Sequence, residues 1–115
     1  MSAAKPSQTE SGQNRRIYVR QACGETTAAH VALQESCIFQ PVKVLDVSAG
    51  GIALLLWEPL TQGDEVFVQL TNRNNDLTHE IAARVANVRQ RRNGKWAIGF
   101  SFERPLDAAE LAQFL

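Results

Sequence analysis

Residues 41–57 read PVKVLDVSAGGIALLLW, two strand-like runs that enclose a short polar segment. Both runs are rich in β-branched and aliphatic side chains, and each is too short for a typical buried helix. Between them, Asp46 and Ser48 can bond the nearby backbone, and Gly50 with Gly51 permits a positive φ or a close backbone approach. The stretch therefore predicts two neighbouring strands joined by a tight polar turn.

The same kind of pattern recurs along the chain. Strand-like segments are predicted at residues 26–33, 37–45, 52–57, 65–71, 77–90 and 95–102. Pro41 predicts an edge position or a bulge, because proline has no N–H for the strand ladder. The fifth segment mixes helix-forming alanines with β-branched residues. The hairpin signal Asn93-Gly94 that follows favours a strand, with a bend near Ala82 and Ala83.

The last ten residues change to a helical period. Asp107 can cap a helix and Glu110 completes a capping box, while Leu106 and Leu111 are placed as the hydrophobic staple. A helix this short is not stable alone, so it is expected to dock over an open barrel end. Six strands with short connections and one terminal helix predict an all-β fold, a six-stranded antiparallel barrel with a short C-terminal helix.

The composition allows one domain and restricts its partners. The chain has 115 residues, and 12 basic and 12 acidic side chains give a net charge of zero. A general DNA or RNA binder normally needs a basic excess, so nucleic acid is not an expected partner. Residues 1–14 are small and polar and are predicted to be a disordered tail, with one domain at 15–115. No apolar run is long enough to span a membrane and no signal peptide is visible, which predicts a cytoplasmic protein.

Catalytic and metal-binding patterns are not visible in the sequence. Cys23 and Cys37 lack metal-ligand spacing and are predicted to be free thiols. Trp57 and Trp96 are interpreted as core or rim aromatics. Because no Ser-His-Asp, Cys-His or paired-carboxylate spacing is found, neither an enzyme nor a metal or other cofactor is expected.

Two short motifs point to a function. Residues 16–20 read Arg-Ile-Tyr-Val-Arg, and residues 46–51 read Asp-Val-Ser-Ala-Gly-Gly. Alone, the first is most simply a solvated basic segment and the second a β-turn. In this order and spacing they resemble the paired signature of the PilZ domain, Arg-x-x-x-Arg followed by Asp/Asn-x-Ser-x-x-Gly. The resemblance covers about residues 14–115 and implies the six-stranded barrel with its C-terminal helix.

The resemblance also implies a bacterial receptor for cyclic di-GMP, which carries two phosphates and two guanine bases. Arginine can grip phosphate oxygens or the guanine O6/N7 edge with two hydrogen bonds, and it can stack on a base. Asp46 is expected to accept from guanine N1–H and N2–H₂ or to orient an arginine, and Ser48 to contact a phosphate or a base edge. The predicted ligand-binding residues are Arg15, Arg16, Arg20, Asp46, Ser48, Gly50 and Gly51. Many family members carry an aromatic near Asn87, where this chain has none.

Binding is expected to order the N-terminal arm and so to present a new surface to a downstream protein, in a pathway such as motility, biofilm formation or exopolysaccharide control. Two alternatives belong to other classes. The first is a degenerate PilZ-like adaptor that binds proteins without nucleotide. The second is an oligonucleotide-binding barrel, against which the neutral charge counts because single-strand binders use basic grooves.

Overall fold

The computed structural model describes residues 19–36 and 38–115, and the predicted tail, Arg15, Arg16 and Cys37 lie outside them. Six strands close into a barrel in the order β1-β2-β3-β6-β5-β4, and every neighbouring pair is antiparallel. The strands are β1 Thr27–Leu33, β2 Gln40–Val47, β3 Gly51–Leu56, β4 Glu65–Asn72, β5 Leu77–Gln90 and β6 Trp96–Phe102, and helix α1 is Ala108–Ala112. The predicted barrel with a short C-terminal helix is confirmed.

Alternation along the strands builds the core. Side chains two residues apart share one face of a strand. In β3 the inward set is Ile52, Leu54 and Leu56, all buried, and in β6 it is Ile98, Phe100 and Phe102. The residues between them, including Gly99 and Ser101, therefore lie on the outer wall of the barrel, which is the side that the candidate site uses.

Strand pairing is irregular at three places: around Pro41 and between Val44 and Asp46 in β2, and between Val85 and Asn87 in β5. Residues 40–42 pair only with β1, and the pairing of β2 with β3 begins at Lys43 opposite Leu55. Pro41 thus lies where β2 has one partner, the edge-like position that the sequence predicted. In β5, pairing is regular through Ala82 and Ala83, where the sequence predicted a bend. The register shift lies instead between Val85 and Asn87, so the predicted position of the irregularity is wrong.

Helix α1 and the residues after it cover the barrel end at which β1 begins. The Asp107 carboxylate accepts from the N–H of Glu110 (2.8 Å), and the Glu110 carboxylate accepts from the N–H of Asp107 (2.9 Å), which confirms the capping box. Phe114 is fully buried, and its carbonyl oxygen accepts from the N–H of Gly24 (3.0 Å) and the hydroxyl of Thr27 (3.1 Å). Within the described part of the chain, no helix has the length and apolar character needed to cross a membrane.

Candidate ligand-binding site

A cleft of about 410 Å³ lies on the outside of the barrel, between the loop that joins β2 to β3 and the wall formed by β5 and β6. It is lined by Arg20, Asp46, Ser48, Gly50, Gly51, Ile52, Ala86, Asn87, Gly99, Phe100, Ser101, Phe102, Glu103 and Pro105. All of the predicted site residues that the structure describes are therefore brought together here. The other two, Arg15 and Arg16, lie outside the described residues.

The loop 48–51 is held first by its own hydrogen bonds. The N–H of Ser48 donates to the carbonyl oxygen of Gly51 (2.9 Å). The Ser48 hydroxyl donates to the same oxygen (3.4 Å) and accepts from the N–H of Gly50 (3.3 Å). Ser48 is only 7% exposed. Its hydroxyl thus shapes the turn, as short polar side chains often do, and the side chain presents little surface to the cleft.

Two further bonds fix the loop to the end of β6 and to the segment that leads from β6 to α1. The carbonyl oxygen of Gly50 accepts from the N–H of Phe102 (2.9 Å), and that of Ala49 accepts from the N–H of Leu106 (2.8 Å). The loop is therefore anchored by hydrogen bonds within itself and to neighbouring backbone. A preorganised loop reduces the entropy that binding must otherwise lose.

The structure identifies the close backbone approach that requires glycine at position 51. A Cβ built on Gly51 would collide with the backbone carbonyl oxygen of Phe100 on β6. Neither glycine of the loop has a positive φ; among the described glycines only Gly63 and Gly94 do. Of the two properties that the sequence assigned to the glycine pair, positive φ is not used at either residue, and close backbone approach is used at Gly51, where β3 passes close to β6.

Arg20 reaches the cleft because the backbone next to it is tethered to β2. Gln21 and Val47 exchange two N–H···O bonds of 2.8 Å each. Arg20 Nη1 lies 3.7 Å from Asp46 Oδ1, with side chains that are 61% and 32% exposed. Of the two partners predicted for Asp46, a guanine or an arginine, the arginine is present in the described cleft.

The thiol of Cys23 lies close enough to Asp46 for the negative charge of that carboxylate to affect its pKa. Burial, and secondarily the negative charge of Asp46, raises the pKa of the Cys23 thiol from 9.0 to about 11. The thiol is therefore neutral at physiological pH. Cys23 is a free thiol, as predicted.

The β5–β6 wall adds residues that were not in the predicted set. Asn87 lies across Gly99, since a Cβ on Gly99 would meet Asn87 Nδ2 at 2.7 Å and Oδ1 at 2.9 Å. Ser101 and Glu103 are exposed and line the same wall. Alternation along β6 could have identified Ser101. Asn87 could not be found that way, because simple alternation from the buried Val85 would point it inward, whereas the register shift after Val85 places it opposite Gly99.

The charges of the cleft are mixed. Its described lining contains one arginine, Arg20, and two carboxylates, Asp46 and Glu103. In the part of the chain that the structure covers, no group of three or more His, Cys, Asp or Glu side chains could hold a metal ion. The described lining suits hydrogen-bond donors of a base better than it suits two phosphates.

Comparisons with known proteins agree with this geometry. The family model for the PilZ domain matches residues 14–115. A similar solved structure is entitled "Structure of Bacillus subtilis Inhibitor of motility (MotI/DgrA)", with a TM-score of 0.63 and 20% sequence identity. The similarity covers 86% of this chain and 47% of that chain, so this chain spans about half the length of that protein. At this identity the likeness shows a shared fold alone. No curated protein matches the chain.

Proposed function

Because the chain belongs to the PilZ domain family, we propose that it is a cytoplasmic receptor for cyclic di-GMP, which binds in the cleft between loop 46–51 and the β5–β6 wall. The observation that supports this most is the meeting of the two motifs. Arg20, the last residue of the first motif, lies beside Asp46, the first residue of the second. The cleft also has a volume typical of small-molecule sites, which are about 300–1,000 Å³.

The groups in the cleft match the edges of a guanine base. Guanine offers N1–H and N2–H₂ as donors and O6 and N7 as acceptors. The Glu103 carboxylate and the Asn87 amide oxygen can accept from the donors, and the Asn87 amide nitrogen and the Arg20 guanidinium can donate to the acceptors. Asn87 supplies polar contacts at the position where an aromatic ring would stack in many family members.

The phosphates require positive charge from the first motif. One arginine against two carboxylates cannot by itself neutralise a ligand with two negative charges. Arg15 and Arg16 supply the remaining cations in this proposal. The Gln21–Val47 bridge fixes the backbone next to Arg20, and in this proposal the arm that precedes it is ordered over the ligand on binding. In this proposal, closure of the N-terminal arm is the signal that a downstream protein detects. The ligand produces it because it binds the closed arrangement of the arm more tightly than the open one.

The closed arm and the barrel wall together form the surface that a downstream protein recognises. One similar solved structure is that of an inhibitor of motility from Bacillus subtilis, MotI/DgrA. A component of a motility apparatus is therefore the first partner to test, although biofilm and exopolysaccharide pathways belong to the same proposal. No catalytic step is part of it.

Isothermal titration of the intact chain with cyclic di-GMP tests the proposal. We expect saturable binding with a Kd in the micromolar range or tighter, which corresponds to a binding free energy of about −8 kcal/mol or more negative. Arg16→Ala and Asp46→Ala should abolish the heat. Arg92→Ala is the matched control, because Arg92 is exposed in the turn between β5 and β6, at the opposite end of β6 from the cleft residue Ser101. The absence of binding by the intact chain would falsify the receptor proposal.

The nucleotide-free adaptor is the second candidate, and the excess of carboxylates in the described cleft favours it. Both candidates predict a protein partner. They differ in whether the partner's affinity for the chain responds to cyclic di-GMP. A pull-down of a motility component that is unchanged by the nucleotide would support the adaptor.

A further inference from the structure

A second groove, which we call the Trp57 groove, lies at the other end of β3 from the cleft. It has a volume of about 290 Å³ and is lined by Pro41, Lys43, Leu55, Trp57 and Lys95, among others. It forms where β2 separates from β3, because residues 40–42 have no partner on β3. The groove is thus a gap in the barrel wall produced by the one-sided pairing around Pro41.

Trp57 is a largely exposed aromatic residue in the lining of the groove. Its side chain is 73% exposed, whereas Trp96, on the facing strand, is half-buried and packs against the core. Lys95 Nζ lies 4.3 Å from the centre of the Trp57 ring. An exposed tryptophan next to apolar walls is a frequent anchor of protein interfaces, because it buries a large area when a partner covers it.

The charge of the groove determines what kind of partner fits. Its lining contains two lysines, Lys43 and Lys95, and no acidic residue. Among the described residues, neither lysine takes part in an ion pair. A groove that combines apolar side chains with two lysines outside any ion pair is complementary to an apolar side chain flanked by carboxylates.

We propose that the Trp57 groove binds an acidic peptide segment of a partner protein, with one apolar side chain of the segment packed against Trp57 and its neighbouring carboxylates facing Lys43 and Lys95. Nucleic acid is a poorer fit because two lysines on a chain of zero net charge offer few phosphate contacts.

The groove and the cleft are separate sites. Ile52 is the last residue of β3 that lines the cleft and Leu55 is the first that lines the groove, and three residue steps of extended strand separate them by about 10 Å at roughly 3.4 Å per residue. The inference therefore does not depend on cyclic di-GMP. If the chain failed to bind cyclic di-GMP, the proposal for the Trp57 groove would be unaffected. If the groove failed to bind a peptide, the receptor proposal would likewise be unaffected.

A peptide-display selection on the intact chain tests the proposal. A random linear-peptide library is selected on the wild type and depleted on Trp57→Ala. We expect enriched sequences in which an aliphatic or aromatic residue has Asp or Glu on both sides. A fluorescein-labelled enriched peptide should lose affinity about tenfold or more, by anisotropy, with Trp57→Ala and with Lys43→Glu plus Lys95→Glu.

Matched variants make the result specific. Trp57→Phe should keep part of the affinity, and Arg20→Ala, in the cleft, should keep all of it. The double lysine variant leaves the core intact, so it remains informative even if Trp57→Ala does not fold. The proposal is overturned if no peptide is enriched, if the enriched peptides lack acidic residues, or if they bind both groove variants as well as the wild type. Tighter Trp57-dependent binding of a labelled single-stranded oligonucleotide would also overturn it.

Discussion

The guanidinium of Arg20 lies 3.7 Å from the carboxylate of Asp46. The last residue of the first motif and the first residue of the second therefore lie side by side in the lining of the same cleft. Both side chains are partly solvated, and exposed ion pairs contribute only about 0–1 kcal/mol to stability. The importance of the pair is therefore positional. It places the planar guanidinium of Arg20 beside Asp46 in the lining of the cleft.

Arg20→Ala separates binding from stability. We expect a loss of cyclic di-GMP affinity of about 10- to 100-fold, since a hydrogen bond to a charged group contributes about 1.5–3 kcal/mol. The free energy of unfolding should change by less than about 0.5 kcal/mol, as for most surface substitutions. Arg20→Lys should restore only part of the affinity, because lysine lacks the fork. Titration calorimetry and urea unfolding measure the two quantities, and equal affinities for wild type and Arg20→Ala would contradict the assigned role.

Gly51→Ala tests the close approach of β3 to β6. Alanine usually stabilises a strand relative to glycine, but here its Cβ would collide with the Phe100 carbonyl oxygen. We expect the free energy of unfolding to fall by about 1–3 kcal/mol, as for other overpacked sites.

Gly99→Ala is the matched comparison, because its Cβ would meet only the end of the Asn87 side chain. It should cost less stability and should weaken nucleotide binding by displacing the Asn87 amide. Urea unfolding of both variants measures the contrast, and a Gly51→Ala protein as stable as the wild type would show that the strands can separate freely.

Arg15 is expected to set the stoichiometry. A third guanidinium next to Arg16 offers a base-stacking and phosphate-binding group in addition to the two arginines of the Arg-x-x-x-Arg motif. We expect calorimetry at saturation to show a second, base-stacked cyclic di-GMP molecule per domain. Arg15→Ala should reduce the stoichiometry to one without abolishing binding. A clean one-to-one titration of the wild type would remove this role.

The capping box of α1 supports the covered barrel end. Asp107→Ala removes the acceptor of the Glu110 N–H, and loss of an N-cap costs about 0.5–2 kcal/mol of stability. Asp107→Asn should retain most of the stability because asparagine caps equally well. Thermal unfolding compares the two. Equal melting temperatures for the wild type and Asp107→Ala would mean that α1 is held by Phe114 alone.

The raised pKa of Cys23 gives a pH dependence with a defined sign. Its folded value of about 11 exceeds the ordinary value of 9.0, so the folded state retains a proton that the unfolded chain loses. The resulting stabilisation is fully present below pH 9 and is lost as the pH rises from 9 towards 11.

In a Cys37→Ser background, alkylation of Cys23 at mildly alkaline pH should be slowed by one to two orders of magnitude, roughly as the thiolate fraction falls with a shift of this size. Asp46→Asn should lower the pKa of Cys23 only in part, because burial is the larger cause. Alkylation as fast as in the urea-unfolded chain would contradict this placement of the thiol.

The sequence by itself determined the architecture. Period-two alternation in segments such as 65–71 and 95–102 specified the strands and their buried faces, and the Asp107–Glu110 box specified the helix start. These signals are local, because a side chain's face and a cap's hydrogen bonds depend on residues within one turn or one strand. The two motifs, also local, identified the part of the site that they contain.

Only the tertiary structure decided which groups meet. The contact of Arg20 with Asp46, the need for glycine at position 51 and the exposure of Trp57 all depend on residues far away in the chain. The register shift after Val85 reverses the face of Asn87 and so adds it to the cleft. Strand register is a non-local property, and a shift of one residue exchanges the two faces of a strand, so local patterns could not supply these contacts.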